Sequence, residues 1–272
     1  MKDYYGKECG TLKDKKLWLF DMDGTVYLGD KIFDGAVRLL EKITENGGKY
    51  VFITNNSSKG VKDYVKKVNA MGIKADKTNF YTSVDAAAVL LKERFADRLI
   101  YAQGTRSFIK NLKDYGLNVT AVYDENAECV IVAFDTELTL KKLSATCRTL
   151  LKDIPYYATN PDWVCPTEFG YVPDCGSMCF GIEKATGKSP VFIGKPNPVM
   201  IEEVIKKFGA EKKDAVVVGD RIYTDIASGV NAGVDTVLVL SGETTAKACD
   251  ESDIKPSFVL SGVWELADLF EK

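Results

Sequence analysis

Short apolar runs alternate with helical patterns from one end of the chain to the other, and this alternation constrains the fold more than any other feature. KLWLF (16–20) precedes FDGAVRLLEKITENGG, where apolar residues recur about every 3.6 positions and a Gly-Gly pair ends the pattern. YVFIT (50–54), FYTS (80–83), RLIYAQ (98–103), CVIVAF (129–134), VFIG (191–194) and AVVVG (215–219) each lead into a helical pattern in the same way. PYYAT (155–159) leads into an irregular stretch, and TVLVL (236–240) and SFVL (257–260) come last. β-rich runs joined by helices predict a parallel sheet covered on both faces. The regularity breaks at 159–177, TNPDWVCPTEFGYVPDCGS, which holds three of the eight prolines. A long loop rich in proline and aromatic residues inside a compact protein is usually functional or a lid.

With 272 residues, 46% hydrophobic, the chain can bury one large core or two modest ones. Its net charge of −3, mixed along the chain, gives no nucleic-acid footprint. No apolar run approaches the ~20 residues that span a bilayer, and the N-terminus lacks a signal-peptide core, so no membrane partner is expected. The seven cysteines show no close pairing. They predict reduced thiols, with Cys129, Cys147 and Cys179 buried, in a cytoplasmic protein. Cys165 and Cys175, in the irregular stretch, are the exposed candidates for redox chemistry.

The absence of histidine removes every Ser-His-Asp and Cys-His mechanism and every His-ligated zinc site. Acid–base work near neutral pH then falls to carboxylates, Lys, Tyr, Cys or a metal-bound water. In open parallel sheets, ligands bind at the carboxyl ends of the strands. The residues there are Asp21 after LWLF, Thr54 closing YVFIT, Lys195 after VFIG and Asp220 after AVVVG, whereas Ser83, Asn160 and Ser241 look unremarkable. Asp21 and Asp220, with Asp23 and Asp225 nearby, would repel one another unless a cation sat between them. Oxygen-only ligands favour Mg²⁺, which takes one or two carboxylates plus phosphate oxygens. Lys195 and the Thr54 hydroxyl then supply charge and a donor to a phosphoryl group. Asp21 is anionic at neutral pH without a base, so it can act as nucleophile, and Asp23 can move the proton.

Each feature alone has a plainer reading. Asp21 and Asp23 could form a turn, Asp and Lys a structural ion pair, the Thr54–Ser58 run a helix cap, and Asp225 the cap of DIASGVNAG. Their joint order is what separates the readings. DMDGT (21–25) resembles the DxDx[TV] first motif of the haloacid-dehalogenase-like (HAD) superfamily. Thr54 in FITNN resembles its second motif, Lys195 in IGKPNP its third and GDRIYTD (219–225) its fourth. TNNSSK, ATNPD (158–162) and the IGKPNP…GDRIYTDI pairing resemble the NagD / p-nitrophenylphosphatase-like subfamily, type IIA. The likeness covers residues 15–265.

The resemblance implies a Rossmann-like α/β core with helices on both faces and an inserted α/β cap of the C2 type. The core is expected at 1–95 and 187–272, and the cap at 96–186. It implies a Mg²⁺-dependent phosphatase acting on small phosphomonoesters, such as nucleotide or sugar phosphates, through an aspartyl-phosphate. In that scheme Asp21 is the nucleophile and Asp23 the acid/base. Asp21, the Asp23 carbonyl and Asp220 hold the metal, and Asp225 stands behind them. Thr54, the Asn55 backbone and Lys195 hold the phosphoryl oxygens. Asn160 and Asp162 belong to the substrate-facing cap loop, with Trp163, Phe169 and Tyr171 lining a leaving-group pocket. PDCGSM (173–178) departs from the subfamily's more usual Pro-Gly turn. A phosphomutase or other phosphotransferase would carry the same motifs, and a phosphate-binding regulator without catalysis is the reading from another class. The sequence sets no oligomeric state, and a homo-oligomer is compatible with it.

Overall fold

Leu17–Phe20 and Ala215–Gly219 are buried at every position, which explains why they read as unbroken apolar runs rather than alternating ones. In the computed structural model, which describes residues 1–167 and 169–270, they are neighbours at the centre of a six-stranded sheet. Its order is Phe258–Leu260, Asp235–Val239, Ala215–Gly219, Leu17–Phe20, Lys49–Thr54, Phe80–Thr82. Leu17–Phe20 pairs in parallel with both flanking strands, Phe20 standing level with Val218 and with Phe52. This register brings the carboxyl ends of three strands to one level, which the strand-end reading of the sequence requires.

Helix Ala36–Glu45 buries Ala36, Leu39, Leu40 and Ile43, and helix Val199–Phe208 buries Met200, Ile201, Val204 and Ile205. Both spacings put an apolar stripe on one helical face. No helix among the described residues is long and apolar enough to cross a membrane.

The chain forms two compact units. One comprises Met1–Thr54, Val65–Tyr81 and Lys195–Lys272; the other comprises Asn55–Tyr64 and Thr82–Gly194. The segment Asn55–Tyr64 and the helix Ser83–Phe95 therefore group with the second unit, whereas the sequence expectation placed residues 1–95 together in the first.

The second unit holds its own parallel sheet, in the order Val191–Phe192, Tyr156–Ala158, Cys129–Val132, Ile100–Gln103, Val119–Thr120. Much of the stretch that broke the sequence pattern takes regular structure. Val164–Thr167 and Gly170–Pro173 pair as an antiparallel hairpin, and helix Cys175–Thr186 follows at once. Asp174 begins that helix, its carboxylate accepting the Cys175 N–H at 2.5 Å, so PDCGSM is a helix start rather than a glycine turn. Trp163, Phe169 and Tyr171 are 60%, 82% and 65% exposed. Cys175 corrects an expectation: it is wholly buried, and burial, with Cys179 beside it, holds its thiol well above the usual range. All seven cysteines are free.

Candidate active site

Asp21 is the first residue past its strand, and its N–H still donates to Val218 O at 2.9 Å. The chain then turns sharply: Val26 N–H donates to Met22 O and Gly24 N–H to Tyr27 O. Gly24 sits at φ +88, and a Cβ there would lie 2.5 Å from Asp220 Oδ2, so both conformation and space require glycine. The turn carries Thr25 to Asp220, whose Oδ1 accepts the Thr25 hydroxyl at 3.0 Å. Asp220 Oδ2 accepts the Glu243 N–H at 2.8 Å.

Lys195 ties the strand ends together. Its Nζ donates to Asp21 Oδ1 at 2.6 Å, to Asp225 Oδ1 at 2.7 Å and to Ile53 O at 3.1 Å. Asp225 lies in the π-helical turn Ile222–Ile226, and its Oδ2 accepts the Arg221 N–H at 3.0 Å. Its carboxylate therefore serves Lys195 and the turn, and helix Ala227–Ala232 has no side-chain cap. Thr54 closes the Lys49–Thr54 strand and is buried.

One carboxylate oxygen from each of Asp21, Asp220 and Asp225 lies within 4.8 Å of the others. Burial raises the Asp21 carboxyl to about 7; Lys195 works against that rise, and Asp225 and Asp220 add to it. Burial and Asp225 likewise raise Asp220 to about 6. Asp23 is raised by burial, with Lys67, the Gly29 N–H and Arg221 pulling back. Burial lowers Lys195, but Asp21 and Asp225 outweigh it, and the ammonium stays protonated. Clustered carboxylates pushed upward by one another lack positive charge, and their hard oxygens suit a divalent cation such as Mg²⁺. Both oxygens of Asp220 accept a hydrogen bond, from Thr25 and Glu243, as do both of Asp225, from Lys195 and Arg221, and each carboxylate oxygen keeps a second lone pair.

Several contributors carried no sequence signal. Glu243, besides its N–H to Asp220, pairs through Oε2 with Arg221 Nε at 2.9 Å and accepts the Tyr223 hydroxyl at 2.6 Å. Ser241, unremarkable in the sequence, donates its hydroxyl to Gly24 O at 2.7 Å. A small hydroxyl residue at a strand end was the only available hint.

Asn55, Asn160 and Asp162 lie in the second unit. Asn160 is wholly buried and Asp162 is 7% exposed. Asp162 Oδ2 accepts Asn55 Nδ2 at 2.9 Å and Asn160 Nδ2 at 2.8 Å. Asn160 Nδ2 also donates to Asp174 Oδ1 at 3.1 Å.

The chain is similar to known proteins. Residues 18–118 match the family described as haloacid dehalogenase-like hydrolase, and residues 192–266 match the one described as HAD-hydrolase-like. An acid sugar phosphatase of Staphylococcus haemolyticus is 34% identical over 247 residues, 91% of this chain and 93% of that protein. A 5'-nucleotidase of Bacillus subtilis is 31% identical, over 93% of this chain and 98% of its own. The structure of a 4-nitrophenylphosphatase from Thermotoga maritima superposes with TM-score 0.89 at 40% identity, covering 95% of this chain and 98% of that one. A glycerol phosphate phosphatase from Mycobacterium tuberculosis, solved in complex with magnesium, gives TM-score 0.88 at 26% identity, covering 94% and 77% respectively. The chain belongs to the haloacid dehalogenase-like hydrolases, within their NagD / p-nitrophenylphosphatase subfamily, and is a phosphatase of that family.

Proposed function

We propose that the protein hydrolyses small phosphomonoesters, of the nucleotide or sugar phosphate class, through a phosphorylated Asp21, and that it depends on Mg²⁺. The observation that carries this reading is the single Lys195 ammonium bonded to Asp21 and Asp225, with an Asp220 oxygen in the same carboxylate cluster. Asp21, the Asp23 carbonyl and Asp220 would hold the metal, and when bound it supplies the positive charge that lets an anionic phosphate approach these carboxylates.

A free Asp21 oxygen attacks phosphorus, and the ester oxygen departs with a proton from Asp23. Asp23 next takes a proton from water, the resulting hydroxide attacks the same phosphorus, and the Asp21–phosphorus bond breaks to release inorganic phosphate. Lys195, the Thr54 hydroxyl and the Asn55 N–H hold the phosphoryl oxygens throughout. Asp225 keeps Lys195 in place, and Thr25 and Glu243 hold Asp220. The substrate classes named for the relatives, sugar phosphates and nucleotides, support a small leaving group. Seven free cysteines support a reducing, cytoplasmic setting.

The test is phosphate release from a panel of phosphomonoesters with Mg²⁺, repeated with EDTA. Hydrolysis that stops with EDTA is the expected result. Metal-independent turnover, or transfer to a second hydroxyl instead of water, would overturn the reading.

A further inference from the structure

The chain first passes from the first compact unit to the second at Asn55, and it passes back for the last time after Gly194. Directly before Asn55 stands Thr54, and directly after Gly194 stands Lys195, so two groups of the proposed phosphoryl pocket lie one bond away from these crossings. The Asn55 carboxamide is gripped from both ends. Its Nδ2 donates to Asp162 Oδ2 at 2.9 Å. Its Oδ1 lies so close to Gly194 that a Cβ there would come within 2.5 Å of it, and within 2.5 Å of Thr159 O. The Asn55 carbonyl accepts the Ser83 hydroxyl at 2.7 Å.

The next residues are fixed in the same manner. Ser57 Oγ is 2.9 Å from Thr159 Oγ1 and accepts the Phe134 N–H at 3.0 Å, and Ser58 O accepts the Thr105 hydroxyl at 3.0 Å. Segment 55–58 is thus fastened to the carboxyl ends of the second unit's strands, in the place where a parallel sheet commonly receives a ligand. Asp162 is the ionisable group among the partners named here. Its Oδ2 accepts from both Asn55 and Asn160, while its Oδ1 is buried with no hydrogen-bond partner among the described residues. A buried carboxylate that leaves one oxygen unused is costly, and the return for that cost is a pair of charge-assisted bonds to the two amides.

We infer that Asp162 is a positioning residue for the phosphoryl pocket: it orients Asn55, and through the chain Thr54, without touching the leaving group. The inference rests on the phosphomonoesterase reading for its kinetic consequence and on the hydrogen bonds alone for its structural one. Asp162→Ala strands two buried amides. It should lower kcat/KM about tenfold, by the same factor for p-nitrophenyl phosphate and for a sugar phosphate. Asp162→Asn keeps one oxygen in place to accept both amides and should stay within about threefold of the parent. Asn55→Ala breaks the same bond from its other end and carries the test if Asp162→Ala does not fold.

Hydrogen exchange without substrate supplies the second readout. Backbone amides of residues 54–58 should exchange faster in the Ala variants and as in the parent in Asp162→Asn, with helix Cys175–Thr186 unchanged. Factors that differ between the two leaving groups, Asp162→Asn as impaired as Asp162→Ala, or unaltered exchange at 54–58 would each overturn the proposal. The exchange result decides the positioning even for a protein that releases no phosphate, so the two readings fail separately.

Discussion

Lys195 Nζ lies 2.6 Å from Asp21 Oδ1, joining two residues 174 positions apart in the chain. The ammonium is 4% exposed, so its positive charge is held inside the protein by the carboxylates it neutralises. Removing it would leave the half-buried Asp21 and the buried Asp225 without the ammonium they share.

Lys195→Met should therefore destabilise the metal-free protein by about 3–5 kcal/mol. Added Mg²⁺ should raise the melting temperature of this variant more than that of the parent, because it meets a larger uncompensated negative charge. Thermal unfolding with and without Mg²⁺ checks this, and an equal shift in both proteins contradicts it.

Asp21→Asn should lower turnover by at least about 10³, since an amide oxygen is a poor nucleophile. The fold should persist, because the amide oxygen still accepts the Lys195 hydrogen bond. Phosphate release together with circular dichroism tests both halves. Substantial residual turnover would remove Asp21 from the nucleophile's role.

Thr25→Val deletes the hydroxyl that donates to Asp220 Oδ1 at 3.0 Å and leaves the side chain's bulk in place. Groups that orient a metal-binding carboxylate typically contribute about tenfold or more to affinity. The Mg²⁺ concentration giving half-maximal turnover should rise about tenfold, with kcat at saturating Mg²⁺ changing far less. A fall in kcat that excess Mg²⁺ does not restore would mean that Thr25 acts on the chemistry instead.

Stability should depend on pH with a sign set by the raised carboxyls. Asp21 stands at about 7 and Asp220 at about 6 in the folded protein, against 3.8 ordinarily. For groups raised on folding, the stability they contribute is complete below the unfolded value and is lost as pH climbs through the folded one. Metal-free protein should thus melt at a lower temperature at pH 7.5 than at pH 5.5, and Asp220→Asn should flatten that difference. Mg²⁺ should raise the melting temperature more at pH 7.5, where both carboxylates are ionised. A metal-free protein equally stable at the two pH values would contradict the clustering.

Much of this was legible in the sequence because burial writes itself into composition. LWLF and AVVVG are apolar throughout because both faces of their strands are covered, and the residue following such a run is placed at the sheet's rim by geometry alone. Asp21, Thr54 and Asp220 stand at strand ends of the six-stranded sheet in that way, whereas Lys195 follows a run whose strand, Val191–Phe192, belongs to the second unit's sheet. What stayed hidden depends on partners distant in the chain. Nothing local marks Ser241 as a donor to Gly24, or Glu243 as the residue whose N–H holds Asp220. The hairpin at 164–173 was obscured by its prolines, which lower strand propensity although Pro166 and Pro173 sit in the two paired strands. The placement of Asn55–Tyr64 rests on side-chain hydrogen bonds to residues 134 and 159, which no periodicity encodes.

The strand order carries a consequence for biosynthesis. Leu17–Phe20 is made before both of its neighbours in the sheet, Lys49–Thr54 and Ala215–Gly219. Asp21 must therefore wait for a strand translated nearly two hundred residues later, and Asp220 must wait further for Glu243. A chain ending before Lys195 carries DMDGT but none of the later residues, Lys195, Val218, Asp220 and Ser241, that bond to it. Until Ala215–Gly219 is made, Leu17–Phe20 presents an unfilled edge for a chaperone to guard.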